Sequence, residues 1–138
     1  MINLIKTAVY TKLNTLFSGK VFYSFAPIAD GKHYIYDVIT ADDSSTHCST
    51  NLAVLVQVLV VYPERTTSVE TTSVEPDNDL ATIIDNLKLA DLSASGSYGS
   101  VQSKSMVVDM VSPSKFDPQT KQFVGFVRFR ADFTINKN

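Results

Sequence analysis

Cys48 is the only cysteine in the chain, so no intramolecular disulfide can form, and the framework that staples small secreted domains is absent. An excess of one charge is missing too. Lys and Arg total 12 against 14 Asp and Glu, a net charge of −2 with a pI near 5.5, which leaves no broad electrostatic footprint for nucleic acid or anionic lipid. No apolar run approaches the roughly 18 residues of a spanning helix. The opening MINLIKTAVYTKLNTLF is broken by lysines where a signal peptide needs a continuous apolar core. These absences predict a soluble protein, used or assembled in cytoplasm, with no membrane partner.

Signatures of chemistry are equally scarce. His33, His47 and Cys48 are the only imidazoles and the only thiol, and their spacing matches no zinc finger or ribbon. Asp42-Asp43 reads as a solvated turn. Asp77-Asn78-Asp79 begins like a calcium loop, but no Gly follows at the sixth position and no Glu at the twelfth. GSYGS is not the Gly-x-Ser-x-Gly elbow, and neither a Gly-rich phosphate cradle nor a Walker lysine occurs. The aromatics alternate along strands instead of pairing with a basic cluster, which makes them core rather than a platform for stacked bases. No catalytic residue, cofactor or metal is expected, and the chain is read as not an enzyme.

What is present is the size and mixture of one globular domain spanning residues 1–138, with 44% apolar and 19% charged residues. Ile2, Ile5, Val9, Leu13, Leu16 and Phe17 recur at spacings of three and four, one face of a helix that Gly19 stops. KVFYSFAP and HYIYDVIT are short strands either side of the turn ADGK, the first made irregular by Pro27, and ADDSSTHCST is a polar connector. The strongest strand, NLAVLVQVLVVYP, ends at Pro63. In DNDLATIIDNLKLADL, Leu80, Ile83, Ile84, Leu87 and Leu92 share a helical face, with Asp77 or Asn78 as N-cap and Asp79 in the first turn. SASGSYGS is small and polar, so residues 93–104 read as a mobile loop. SMVVDMVSP and FVGFVRFRADFTI close the chain through a turn at Asp117-Pro118. In the last strand Phe123, Val127, Phe129, Ala131, Phe133 and Ile135 point inward, while Arg128, Arg130, Asp132 and Thr134 form a charged outward face. The pattern predicts an α+β fold, a mainly antiparallel four- to five-stranded sheet with two amphipathic helices on one face.

That arrangement leaves apolar surface over. The long strand alternates Leu52, Val54, Val56, Val58, Val60 and Tyr62 against Ala53, Leu55, Gln57, Leu59 and Val61, so both of its faces are apolar. Burying Leu55, Leu59 and Val61 is worth roughly 1.5–3 kcal/mol each. The loop at 93–104, the terminal hairpin or a partner subunit must cover them. Leu55, Leu59 and Val61, with Arg128 and Arg130, are therefore the candidate interface with a partner subunit.

The helix LIKTAVYTKLNTLFSGKVF running into a Gly-x-Val-Phe strand start, the strand LAVLVQVLVVY, the acidic helix NDLATIIDNL and the closing strand pair resemble the tail terminator or tail completion proteins of long-tailed bacteriophages. The likeness covers nearly the whole chain. It implies a small α+β subunit of a hexameric ring that caps the tail tube protein, joins it to the head connector protein, and passes DNA through its channel without specific binding. It brings no catalytic residue or cofactor, and implies a place in the virion, at the head–tail interface. Another head–tail connector, head completion or tail tube protein is the alternative; a small ligand-binding domain or enzyme is the reading of a different class.

One motif belongs to none of this. TTSVE occurs twice in succession, beginning at Thr66 and Thr71 and ending at Glu70 and Glu75. Thr67-x-x-Glu70 and Thr72-x-x-Glu75 match a capping box, but Pro76 and the weak helix formers between them make neither copy a good nucleus. The repeat reads as an acidic connector, with Thr66, Glu70, Thr71 and Glu75 as candidate docking-loop residues. Doubling a loop changes closure entropy by only about 0.6 kcal/mol. Excision of residues 66–70 is predicted to move folding stability by no more than about that amount, read from a urea melt; a larger loss would mean that the repeat packs.

Overall fold

Ile5, Ala8, Val9 and Leu13 are buried along α1 (Ile2–Leu16), the spacing that puts them on one face. Gly19 ends the helix as expected. Its φ of 77° is a left-handed conformation natural to glycine, and its N–H donates to Asn14 Oδ1 at 3.1 Å. This computed structural model describes residues 2–25, 31–43, 45, 50–63, 74–88, 92–97 and 99–137.

After α1 come β1 (Val21–Tyr23), β2 (His33–Asp43), β3 (Thr50–Pro63), α2 (Val74–Lys88), β4 (Ser93–Gly96), β5 (Gly99–Asp117) and β6 (Gln122–Lys137). The six strands form one sheet in the order β1-β2-β3-β6-β5-β4. The α+β reading holds, but the sheet has more strands than the four or five expected, and β1 pairs with β2 in parallel while the other pairs are antiparallel.

The extra strand comes from the segment expected to be a mobile loop. β4 and the start of β5 form a hairpin, registered from Ser93 opposite Gln102 to Gly96 opposite Gly99. Neither strand shows apolar alternation; tertiary contacts make the hairpin. A Cβ on Gly96 would lie 3.2 Å from Leu4 Cδ2, so the missing side chain is what lets α1 sit close. Leu92 and Ser103 then exchange two bonds, Ser103 N–H to Leu92 O at 2.7 Å and Leu92 N–H to Ser103 Oγ at 2.9 Å.

Two further boundaries differ. β2 runs on through Asp42 and Asp43, which pair with Ala53 and Leu52 beyond a bulge at Ile39, so these acids are strand residues and not a free turn. α2 begins at Val74, inside the second TTSVE copy, which removes Asp77 and Asn78 as N-caps and places Glu75 in the first helical turn. Pro76 is tolerated there because its missing N–H would have had no helical acceptor. Glu75 and Asp77 in that turn suit the positive end of the helix dipole.

Both helices pack on the sheet face formed by Tyr34, Tyr36, Val54, Val56, Val58, Val60, Val127 and Phe129, and one buried cluster joins them to Ile5, Leu13, Leu80, Ile83 and Leu87. Phe17, just past α1, stacks on Tyr34 with ring centroids 3.8 Å apart. At the α2 contact the sheet needs glycine. A Cβ on Gly125 would stand 2.9 Å from Leu80 Cδ1 and 3.0 Å from the backbone N and Cα of Ser114. Gly125→Ala is therefore predicted to lower stability by about 1–3 kcal/mol through overpacking. Chemical denaturation tests it, and an unchanged midpoint would show that α2 shifts freely.

Candidate functional site

The face turned away from the helices gathers the residues that sequence nominated. Across the strands Leu55 lies opposite Thr40 and Arg130, Gln57 opposite Asp37 and Arg128, Leu59 opposite Ile35 and Phe126, and Val61 opposite His33 and Val124. Leu55, Leu59 and Arg128 are half-buried and Arg130 is exposed, so side chains within the sheet shield one another only in part. Val61 is different. It is 4% exposed and so already covered by its own chain, which leaves Leu55 and Leu59 as the accessible apolar pair. β5 extends the surface: Val107 opposite Arg130 and Met110 opposite Arg128 are 61% and 47% exposed.

The polar groups on this face are arranged in part. Arg128 Nη2 donates to Gln57 Oε1 at 2.8 Å, and the guanidinium carbon lies 5.6 Å from the Phe126 ring centroid. Its Nε is buried with no hydrogen-bond acceptor among the described residues. A buried donor of that kind is uncommon in a finished structure. Beside it a hollow of about 120 Å³ is lined by Thr40, Asp42, Ala53, Leu55 and Arg130. Apolar rows flanked by arginine and aspartate, and left open among the described residues, have the make-up of a contact surface.

The other nominated residues do not converge on it. Thr66, Glu70 and Thr71 lie outside the described residues, as do His47 and Cys48. His33 is buried in β2, with Nδ1 3.1 Å from Gly31 O and its ring edge-on to Phe22. No cluster of three or more metal-ligating side chains occurs among the described residues.

Sequence reasoning missed a polar cluster on the helix side. Asp79, read as a first-turn acid, accepts hydrogen bonds from the phenols of Tyr34, at 2.5 Å, and Tyr62. Asp77 Oδ1 accepts the backbone N–H of Ser114 at 2.8 Å, at the bulge between Ser112 and Lys115. Both carboxylates tie α2 to the sheet. The alternation that marked Tyr34 and Tyr62 as inward gave a signal for two buried hydroxyls needing partners, but not for the acid that meets them. With both donors coming from inward strand positions, the arrangement is a structural clasp.

No family model matches the chain, and no curated protein matches it in sequence. Among solved structures, the chain is similar to a chain of the virion of a native gene transfer agent particle, with a TM-score of 0.71 over 96% of each chain at 14% identity. At that identity the likeness establishes a shared fold.

The tyrosines set a pH dependence. Burial first, and then the hydrogen bond to Asp79, pushes the Tyr34 and Tyr62 phenols well above their ordinary range; burial first, and then Tyr23 and Tyr10, pushes Tyr36 up to about 12. The folded state holds these protons more tightly than the unfolded chain. Their stabilisation is thus full below pH ~10, where a free phenol ionises, and is lost as pH rises above it. Urea midpoints should be flat from pH 8 to 9.5 and fall steeply by pH 11. Tyr62→Phe should soften the fall, and a midpoint constant to pH 11 would contradict the burial.

Proposed function

We propose that this protein is a structural virion subunit, a ring-forming tail terminator that caps the tail tube and joins it to the head connector, with no catalytic activity of its own. The observation that carries the reading is the fold, shared over 96% of both chains with a chain of a gene transfer agent virion. The sheet face supports it. A ring subunit needs apolar surface that its neighbours complete, and Leu55, Leu59, Val107 and Met110 supply it on the side that the helices leave bare. The near-neutral charge, −2 over the chain, suits a channel that DNA traverses without being gripped. A head completion, connector or tail tube subunit of the same fold is the second reading, favoured by the same open face.

Size-exclusion chromatography with light scattering, with and without tail tubes, separates the readings. A terminator assembles into a closed ring that binds tube ends and halts their growth. A connector or head completion protein assembles without affecting tubes, and a protein that stays monomeric with tubes present rules out both. Leu59→Arg is expected to leave a folded subunit, with unchanged circular dichroism, that no longer assembles; global unfolding would make that face ordinary core.

A further inference from the structure

The sheet ends in two open edges. β1 pairs only with residues 34–36 of β2, and β4 only with residues 99–102 of β5. Residues 37–43 of β2 and 104–112 of β5, between the Ser103 N–H held by Leu92 O and the Ser114 N–H held by Asp77 Oδ1, therefore have no strand on their outer side among the described residues. Each presents backbone N–H and C=O groups able to pair with another chain.

The two edges are level with each other. Asp43 aligns through Leu52 and Phe133 with Ser103, and Asp37 aligns through Gln57 and Arg128 with Met110. The open stretch of β2 thus stands at the height of residues 103–110 of β5, at the opposite end of the same sheet. Between them β2, β3, β6 and β5 alternate in direction, so β2 and β5 run oppositely. A second copy in the same orientation, set beside the first, brings its β2 antiparallel to β5 with neither inversion nor stagger.

The chemistry of the edges is complementary. Residues 37–43 of β2 offer Asp37, Asp42 and Asp43 and no base, around the bulge where Ile39 is 44% exposed. The β5 edge offers exposed Val107 and Met110, backed on β6 by Arg130 and by Arg128 with its acceptor-less Nε; Asp109, at a bulge, is the acid among them. The bulges at Ile39 and Asp109 fall within one rung of each other. Bulges deter pairing with arbitrary strands, and a partner with a matching irregularity escapes that deterrent.

We infer that the open edge of β2 in one copy pairs antiparallel with the open edge of β5 in the next, head to tail, so that the sheet runs on from subunit to subunit. This rests on the ring-forming reading and names the surfaces that build the ring. In the assembly each arginine pair on β6 lies between two acidic β2 strands, its own and its neighbour's.

Cross-linking tests it. In a Cys48→Ser background, Ile39→Cys and Val107→Cys are made singly and together, and treated with a short bismaleimide while light scattering records assembly. The double variant, which needs no subunit exchange, is expected to give a ladder ending in a closed ring, and each single variant to give no dimer, because a head-to-tail contact never brings an edge against itself. An assembled ring without the ladder overturns the edge pairing and leaves the ring reading standing. Self-linked single variants replace the head-to-tail contact with a two-fold one, and a protein monomeric throughout overturns both.

Discussion

Tyr34 is the point at which the three layers of contact in this protein meet. Its ring stacks on Phe17 beyond α1, its hydroxyl is held by Asp79 of α2, and its backbone lies between β1 and β3 in the sheet. The Lys20 carbonyl also accepts its N–H, which carries the exit from α1 straight into the sheet. A phenol buried this deeply must have a hydrogen-bond partner. Meeting that need with a carboxylate on α2 sets the position of the second helix, and stacking on Phe17 sets the first.

With both helices committed to one face, the other follows as a remainder. β3 is apolar on both sides, and only its valine face meets the helices. Leu55 and Leu59 are left to neighbours in the sheet, which shield them in part. The asymmetry of a two-layer fold with a two-sided strand thus leaves Leu55 and Leu59 without a second layer over them among the described residues.

How much of this could be read from residues depended on how local the cause was. The α1 stripe and its glycine stop, the inward and outward alternation of β6, and the Asp117 turn, where Gln119 N–H donates to Asp117 Oδ1 at 3.0 Å, are each determined by neighbours along the chain, and all were legible. β4 was not, because SASG carries no strand preference and becomes a strand through Leu4 and the Leu92–Ser103 exchange. The faces of β5 were hidden for another reason: register shifts at three places move its alternation out of phase, so Val107 and Met110 point the same way despite an odd spacing. Asp77 and Asp79 misled because an acid at a helix start explains itself locally, while the groups these acids hold are 17 to 45 residues away in sequence. For Leu55, Leu59, Arg128 and Arg130, a place on the face away from the helices was legible from periodicity alone, whereas the burial of Val61 was not.

The irregularities in β2 and β5 also have a geometric meaning. Bulges increase the local twist of a sheet, and this one curls into a half-barrel. Where such sheets join edge to edge, the turn accumulated across one subunit is the angle between that subunit and the next, and only an angle that divides a full circle gives a closed ring instead of an open filament. Under the edge pairing inferred above, the coiling of a single chain would set the count of subunits. Inserting or removing one residue at Ile39 or Asp109 would be a change of arithmetic before it was a change of affinity.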